Sequence, residues 1–104
     1  MRTRAKICGI TRVQDIKAVV DAGADAIGFV FFPPSPRSVN KAEAIVLVQA
    51  VPAYVQVGGL FVNATADEIA DILQDVHLDI LQFHGDESPE QCQQIAKQVG
   101  RRWY

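Results

Sequence analysis

Cys8 is the residue whose type and position point most directly to chemistry. It lies in residues 6–11, KICGIT, where a short apolar run meets a glycine and then a threonine that can begin a helix. Functional groups of α/β proteins gather at the carboxyl ends of parallel strands, where a thiolate can act as a general base or a nucleophile. The alternative is a small buried core residue, which is the commoner role of a free cysteine.

Arg37 is a second candidate, because it lies in a loop with little conformational freedom. Residues 31–39, FFPPSPRSV, follow the second predicted strand, and their three prolines restrict the backbone. A guanidinium held there can bind a carboxylate or a phosphate through two parallel hydrogen bonds. The alternative is a solvated surface arginine.

Gln82 and His84 are polar residues that alternate with apolar ones near the fourth predicted strand. Alternate residues of a strand share a face, so we expect these two side chains to point the same way, as Lys6 and Cys8 do on the first strand. This pattern predicts strands with an apolar helix-facing side and a functional inner side. The alternative for His84 is an ordinary loop histidine.

Asp86 and Glu87 come directly before a predicted helix. Negative charge is favourable at a helix amino terminus, so we interpret them as helix-start residues rather than as an acid–base pair. Asn63 follows the third predicted strand and either contacts a ligand or shapes the turn.

Strands and helices alternate along the whole chain. The predicted strands are 5–10, 26–31, 55–62 and 80–83, and the predicted helices are 12–22, 41–50, 66–76 and 89–99. Each helix is preceded by a capping-box pattern: Thr11 with Gln14, Asn40 with Glu43, Thr65 with Glu68, and Ser88 with Gln91. These signals predict four strand–helix units.

The units also repeat in sequence. Residues 25–29, DAIGF, are echoed two units later by residues 79–83, DILQF, and residues 100–104 predict the start of a fifth strand. Such units imply right-handed crossovers and a parallel sheet. We predict one α/β domain over residues 1–104, either an open doubly wound sheet or the first half of a (βα)8 barrel. The missing glycine-rich dinucleotide fingerprint after strand one disfavours the open sheet.

Composition excludes several classes of function. The 104 residues carry a formal charge of −2 with scattered Lys and Arg, which disfavours nucleic-acid binding. No apolar run is long enough to span a bilayer and no signal-peptide pattern is present, so we predict a cytoplasmic protein without a membrane partner. Cys8 and Cys92 are interpreted as separate free thiols, and the Cys and His spacing predicts no metal site.

Together these segments resemble the phosphoribosylanthranilate isomerase family across essentially the whole chain, in the family's order and spacing. The segments are 6–11, KICGIT; 21–29, DAGADAIGF; 35–37, SPR; 59–63, GLFVN; and 81–87, LQFHGDE. The second is weak alone, because several phosphate-binding barrels contain it. The first, third and fifth in combination are specific.

The resemblance implies a (βα)8-barrel enzyme of tryptophan biosynthesis. Its reaction is an Amadori rearrangement of an aminoaldose phosphate to an aminoketose phosphate by general acid–base catalysis, with no cofactor. By this resemblance Cys8 is the general base, Arg37 binds the anthranilate carboxylate of the small-molecule substrate, and Gln82 and His84 line the pocket. An ordinary thiol has a pKa of about 8.5, so we expect the site to favour the thiolate.

The resemblance also implies missing parts. The family is about twice this length, and its general acid and phosphate loops belong to later strands. We therefore expect the 104-residue chain alone to have no substantial isomerase activity. Its open edges predict self-association or pairing with a C-terminal half, unless the chain is only marginally stable. The alternatives are another phosphate-sugar (βα)8 enzyme and a non-catalytic half-barrel that serves as an assembly module.

Overall fold

The computed structural model describes residues 5–103. Strands and helices alternate in the order β1 (Lys6–Cys8), α1 (Val13–Asp21), β2 (Ala26–Val30), α2 (Lys41–Gln49), β3 (Gln56–Phe61), α3 (Ala66–Leu73), β4 (Ile80–Phe83), α4 (Pro89–Val99) and β5 (Arg102–Trp103). The strands form one sheet in the order β1-β2-β3-β4-β5, and every neighbouring pair is parallel. The predicted βα repeat and the start of a fifth strand are confirmed, although Tyr104 lies outside the described residues.

Three of the four predicted capping boxes are confirmed. Asn40, Thr65 and Ser88 each accept a hydrogen bond from the backbone N–H three residues on, and the side chain at that third position accepts one from the backbone N–H of the cap residue. The box predicted at Thr11 is wrong. Helix α1 begins one residue later than expected, with Arg12 at the cap position and no side-chain cap bond. Arg12 instead binds the Asp15 carboxylate through two nitrogens, each at 2.9 Å.

The predicted boundaries agree for β4 and α4 and differ elsewhere by a few residues. β1 is the largest difference among the strands, with three residues where six were expected. It ends at Cys8 because Gly9 adopts a φ of +87°, a left-handed conformation that a strand cannot continue. This turn directs the chain away from the sheet immediately after the thiol.

The two faces of the sheet differ in burial, as the alternation predicted. The helix-facing side carries buried residues that pack with the helices in one core, among them Ile27, Phe29, Val57, Phe61 and Leu81. The register places Cys8 beside Gly28, and Leu60 beside Gln82, on the other side. Here Lys6 of β1 donates a hydrogen bond to Gln82 of β4 across two intervening strands. We call this side the concave face.

The repeated Asp before β2 and β4 has a structural role at the opposite end of the sheet from Cys8. The Asp25 carboxylate accepts from the backbone N–H of Ala5 at 2.8 Å, and the Asp79 carboxylate accepts from that of Val57 at 2.8 Å. Each Asp thus ties the start of its own strand to the start of the preceding one. The sequence echo marks a strand clamp rather than a functional site.

The sheet has two edges among the described strands, β1 and β5. Each edge strand exposes a large apolar side chain on the helix-facing side, Ile7 at 40% and Trp103 at 37%. Their register neighbours on the adjacent strands, Ile27 and Leu81, are fully buried on the same side. The helix layer therefore stops short of both edges.

Candidate active site

A cavity of about 350 Å³ opens at the carboxyl ends of the strands. Its polar lining comes from Cys8, Ser35, Arg37 and His84, and its apolar lining includes Val30, Phe32, Leu60 and Val62. Three of the four site residues predicted from the sequence thus meet around one space. The fourth, Gln82, is not among the lining residues.

Cys8 is half-buried at the end of β1, and its environment depends on a glycine in the next strand. Gly28 lies beside it in register, and a Cβ built there would lie 3.0 Å from Cys8 Sγ. The backbones of the two strands are joined here by a 2.9 Å hydrogen bond from the Gly9 N–H to the Gly28 carbonyl. The thiol therefore occupies space that a side chain on β2 would take.

Arg37 reaches the cavity because its loop folds back onto the end of β2. The Val39 N–H donates to the Val30 carbonyl at 2.8 Å, and the Arg37 N–H donates to Ser35 Oγ at 3.2 Å. The Arg37 side chain then passes over Gly9, where an added Cβ would lie 2.7 Å from Cδ. The missing side chain at Gly9 leaves room for Arg37 on the wall of the cavity that Cys8 also lines.

Lys6 is a charged group near this site to which the sequence assigned no role. Its Nζ donates to Gln82 Oε1 at 2.7 Å, and its Cε would lie 3.4 Å from a Cβ on Gly28. Burial lowers the pKa of Lys6 below its ordinary 10.5, and the negative charge of a Cys8 thiolate opposes that shift. The alternation of Lys6 and Cys8 on one strand was the signal that placed them together.

His84 follows β4, and its position is set by contacts between two loops. Its N–H donates to the Phe61 carbonyl at 2.9 Å, which extends the β3–β4 pairing by one step. Immediately after it, the Gly85 N–H donates to Glu87 Oε1 at 2.8 Å. The other oxygen of Glu87 accepts from the Asn63 N–H, also at 2.8 Å.

Asn63 and Glu87 therefore shape loops, whereas the sequence left Asn63 open and read Glu87 as a helix-start charge. Asn63 adopts a φ of 53°, and its Oδ1 accepts from the Asp86 N–H at 3.0 Å. We call these bonds the Asn63–Glu87 clasp. The sequence did not predict this clasp, because an acidic residue before a helix looks the same whether it stabilises the helix amino terminus or accepts hydrogen bonds within the loop.

Two further features of the described residues bear on ligand and membrane binding. Residues 5–103 contain no group of three or more His, Cys, Asp or Glu side chains placed to hold a metal ion. Within the same range, none of the helices has the length and apolar character needed to cross a membrane.

A parallel βα repeat with a thiol, a guanidinium and an imidazole around a cavity at the carboxyl ends of its strands is the arrangement found in the (βα)8-barrel class of proteins. The family model for N-(5'-phosphoribosyl)anthranilate (PRA) isomerase matches residues 5–103. The chain belongs to the PRA isomerase family.

Relatives of known sequence and structure agree with this assignment. A PRA isomerase of Acinetobacter calcoaceticus is 71% identical over 104 residues, which are 100% of this chain and 49% of the relative. The crystal structure of the Thermotoga maritima enzyme superposes with a TM-score of 0.88 at 40% identity, covering 94% of this chain and 48% of that one. A PRA isomerase in complex with reduced 1-(o-carboxyphenylamino)-1-deoxyribulose 5-phosphate gives the same TM-score and identity, covering 94% and 50%.

The chain spans about half the length of the relatives it matches. The structural match confirms that the repeat is the first half of a (βα)8 barrel, and the open doubly wound alternative is wrong. The family match likewise removes the alternative of a different phosphate-sugar barrel.

Proposed function

We propose that this chain provides the amino-terminal half of a PRA isomerase active site, which converts phosphoribosylanthranilate to the aminodeoxyribulose phosphate in tryptophan biosynthesis. The observation that carries the proposal is the convergence of Cys8, Arg37 and His84 on one cavity at the carboxyl ends of the strands. This is where (βα)8-barrel enzymes bind and transform their substrates.

Cys8 acts as the general base in this proposal. Once the ribose ring has opened to a protonated Schiff base, the thiolate takes the proton from C2. The electron pair of that bond forms the C1–C2 double bond of an enolamine and neutralises the iminium nitrogen. The enolamine then tautomerises to the ketone, so hydrogen is moved within the substrate and no external oxidant or reductant is needed. The acid that protonates the ring oxygen comes from a later strand of the full barrel.

Arg37 binds the anthranilate carboxylate, and His84 contacts the substrate from the opposite wall. The guanidinium passes over Gly9 next to the thiol, so a carboxylate bound there places the neighbouring aminosugar near Cys8. The ligand named in the related complex carries a carboxyphenylamino group, which fits this assignment.

The remaining half of the barrel pairs with this chain along both edges and over the concave face. Further helices pack where Ile7 and Trp103 are exposed. The other half of the barrel supplies these helices, because the chain covers only 49% of its A. calcoaceticus relative. We place the assembled enzyme in the cytoplasm, because a reducing compartment keeps Cys8 as a free thiol. A second copy of this chain is the alternative partner.

The test joins residues 1–104 to the C-terminal half of the A. calcoaceticus relative, to give a hybrid barrel. We expect the hybrid to turn over phosphoribosylanthranilate and to restore growth of a tryptophan-requiring host, and the 104-residue chain alone to do neither. Cys8→Ala should lower kcat of the hybrid by at least about 100-fold, and Arg37→Met should raise KM.

Cys92→Ala is the matched control, since Cys92 is buried in α4 away from the cavity. Equal turnover by the Cys8→Ala and Cys92→Ala hybrids would contradict the assignment of the base. A folded hybrid that shows no turnover would favour the non-catalytic half-barrel instead.

A further inference from the structure

Lys6 and Cys8 approach each other over a single glycine. Both lie on the concave face of β1, and a Cβ on Gly28 would be 3.0 Å from Cys8 Sγ and 3.4 Å from Lys6 Cε. Both functional side chains therefore lean into the space that Gly28 leaves empty. An ammonium group at this place favours the ionised form of a nearby thiol.

Gln82 fixes the direction of the Lys6 side chain. A lysine is flexible, and holding its four-carbon chain in one rotamer has an entropic cost. The 2.7 Å hydrogen bond from Nζ to Gln82 Oε1 holds it across the face of the sheet, while the Gln82 side chain stays out of the cavity lining. As a neutral acceptor, Gln82 orients the ammonium without cancelling its charge.

Other charged or titratable side chains line the cavity beside Cys8. The cavity lining adds Arg37 from the loop after β2 and His84 after β4, and it contains no Asp or Glu. In this cavity Cys8 therefore shares the lining with a guanidinium, an imidazole and neutral groups, and with no carboxylate. Lys6 differs from Arg37 and His84 because it is not among the residues that line the cavity.

We propose that Lys6 is the residue that keeps Cys8 ionised, and that Gln82 is a positioning residue that aims Lys6 rather than a substrate-binding group. The catalytic importance of this inference rests on the proposed function, in which Cys8 is the general base. The ionisation of Cys8 is nevertheless measurable without any substrate.

The experiment measures the rate at which iodoacetamide alkylates Cys8 between pH 6 and pH 10 in the Cys92→Ala chain, where Cys8 is the sole thiol. Lys6→Met should slow alkylation at pH 7 by roughly three- to tenfold, since Lys6 is partly solvated and its charge is screened. The pH profile should move upward by a corresponding amount. Gln82→Met should give a smaller change in the same direction.

Two control variants show whether the alkylation rate depends on the charge of Lys6. Lys6→Arg keeps the charge and should restore a rate within about twofold of the parent. Lys17→Met removes an exposed charge on α1, on the far side of the sheet, and should leave the rate unchanged. A pH profile in Lys6→Met or Gln82→Met that coincides with the parent profile overturns the proposal.

A reciprocal measurement covers the case in which Lys6→Met does not fold. In the nearly isosteric Cys8→Ser chain the thiolate charge is absent, so the ¹³Cε signal of Lys6 should titrate at lower pH than in the parent. An unchanged Lys6 titration overturns the proposal by itself.

The hybrid barrel then separates this inference from the proposed function. Gln82→Met should lower kcat and change KM by less than about twofold, because it acts through Cys8. A raised KM with unchanged kcat would show Gln82 to be a substrate ligand and would overturn its positioning role. An inactive parent hybrid would contradict the proposed function while the alkylation result still decided the role of Lys6.

Discussion

The carboxylate of Glu87 accepts the backbone N–H of Asn63 at 2.8 Å and thereby joins the loops that follow β3 and β4. Its second oxygen accepts from the Gly85 N–H, and Asn63 Oδ1 accepts from the Asp86 N–H in the same loop. Gly85 has no room for a side chain here, since an added Cβ would lie 2.7 Å from Asn63 Oδ1. The clasp fixes the chain directly after His84, so the wall of the cavity is set by a loop pair rather than by one strand end.

Replacing Glu87 by Ala should lower the free energy of unfolding by about 1–3 kcal/mol, because two backbone donors lose a charged acceptor in a half-buried place. Denaturant unfolding of the 104-residue chain measures this change. Asp86→Asn is the matched control, since Asp86 is an exposed acid in the same loop, and its effect should stay within about 0.5 kcal/mol. Equal losses in the two variants would contradict the clasp.

Substitution by alanine should affect the free energy of unfolding much less at Gly28 than at Gly59. Gly28→Ala places a methyl group against the partly solvated side chains of Cys8 and Lys6, outside the buried core, so the unfolding free energy should change by less than about 1 kcal/mol. The displaced thiol should lower kcat of the hybrid by roughly 10- to 100-fold.

The Gly59→Ala variant is the comparison on the core side of the sheet. There the added Cβ would lie 2.7 Å from Leu78 Cδ1 and 3.0 Å from Phe61 Cε2, both in buried side chains. We expect a loss of about 1–3 kcal/mol in unfolding free energy. A Gly28→Ala hybrid with parental kcat would show that the Cys8 position tolerates displacement.

Local chemistry made much of this fold predictable from the sequence. The boxes at Asn40, Thr65 and Ser88 involve residues three apart, so the sequence contains both partners of each bond. The box at Thr11 failed because Arg12 and Asp15 form a competing local pair with the same spacing. Such a competition is decided by geometry that the residue types alone do not determine.

Contacts between distant strands were less predictable. The sequence placed Cys8, Arg37 and His84 at strand ends, and the parallel sheet brings them together because all its strands end at one edge. Gln82 was placed on the correct face, but its bond to Lys6 depends on the curvature of the sheet across β2 and β3. Curvature is set by the packing of the whole layer, and no short segment of sequence contains it.

Asp79 predicts a stability effect at the amino end of the sheet, far from the cavity. Asp79→Ala removes the acceptor of the Val57 N–H in a buried strand and should lower unfolding free energy by about 1–3 kcal/mol. His77 also bonds to Asp79, at 2.6 Å, but its side chain is 66% exposed. The His77→Ala control should therefore change stability by less than about 1 kcal/mol. A larger loss in the control would assign the stabilisation to the His77–Asp79 pair.

Cys92 predicts how stability depends on pH. Burial, reinforced by the negative charge of Glu87, raises the pKa of the Cys92 thiol above its ordinary 9.0. The thiol therefore ionises more readily in the unfolded chain than in the folded one. Its contribution to stability is fully present below the ordinary pKa and is lost as pH rises through the folded value.

Urea unfolding of the parent chain and of Cys92→Ala, at pH 7 and pH 10 under a reductant, tests this sign. All other ionisable groups are common to the two chains, so their contributions cancel in the comparison at each pH. The parent should lose more unfolding free energy than Cys92→Ala between the two pH values. The 4% exposure of Cys92 and the nearby charge of Glu87 both oppose a thiolate in the folded chain. Equal losses of unfolding free energy in the two chains would contradict this and show that the folded chain accommodates the thiolate.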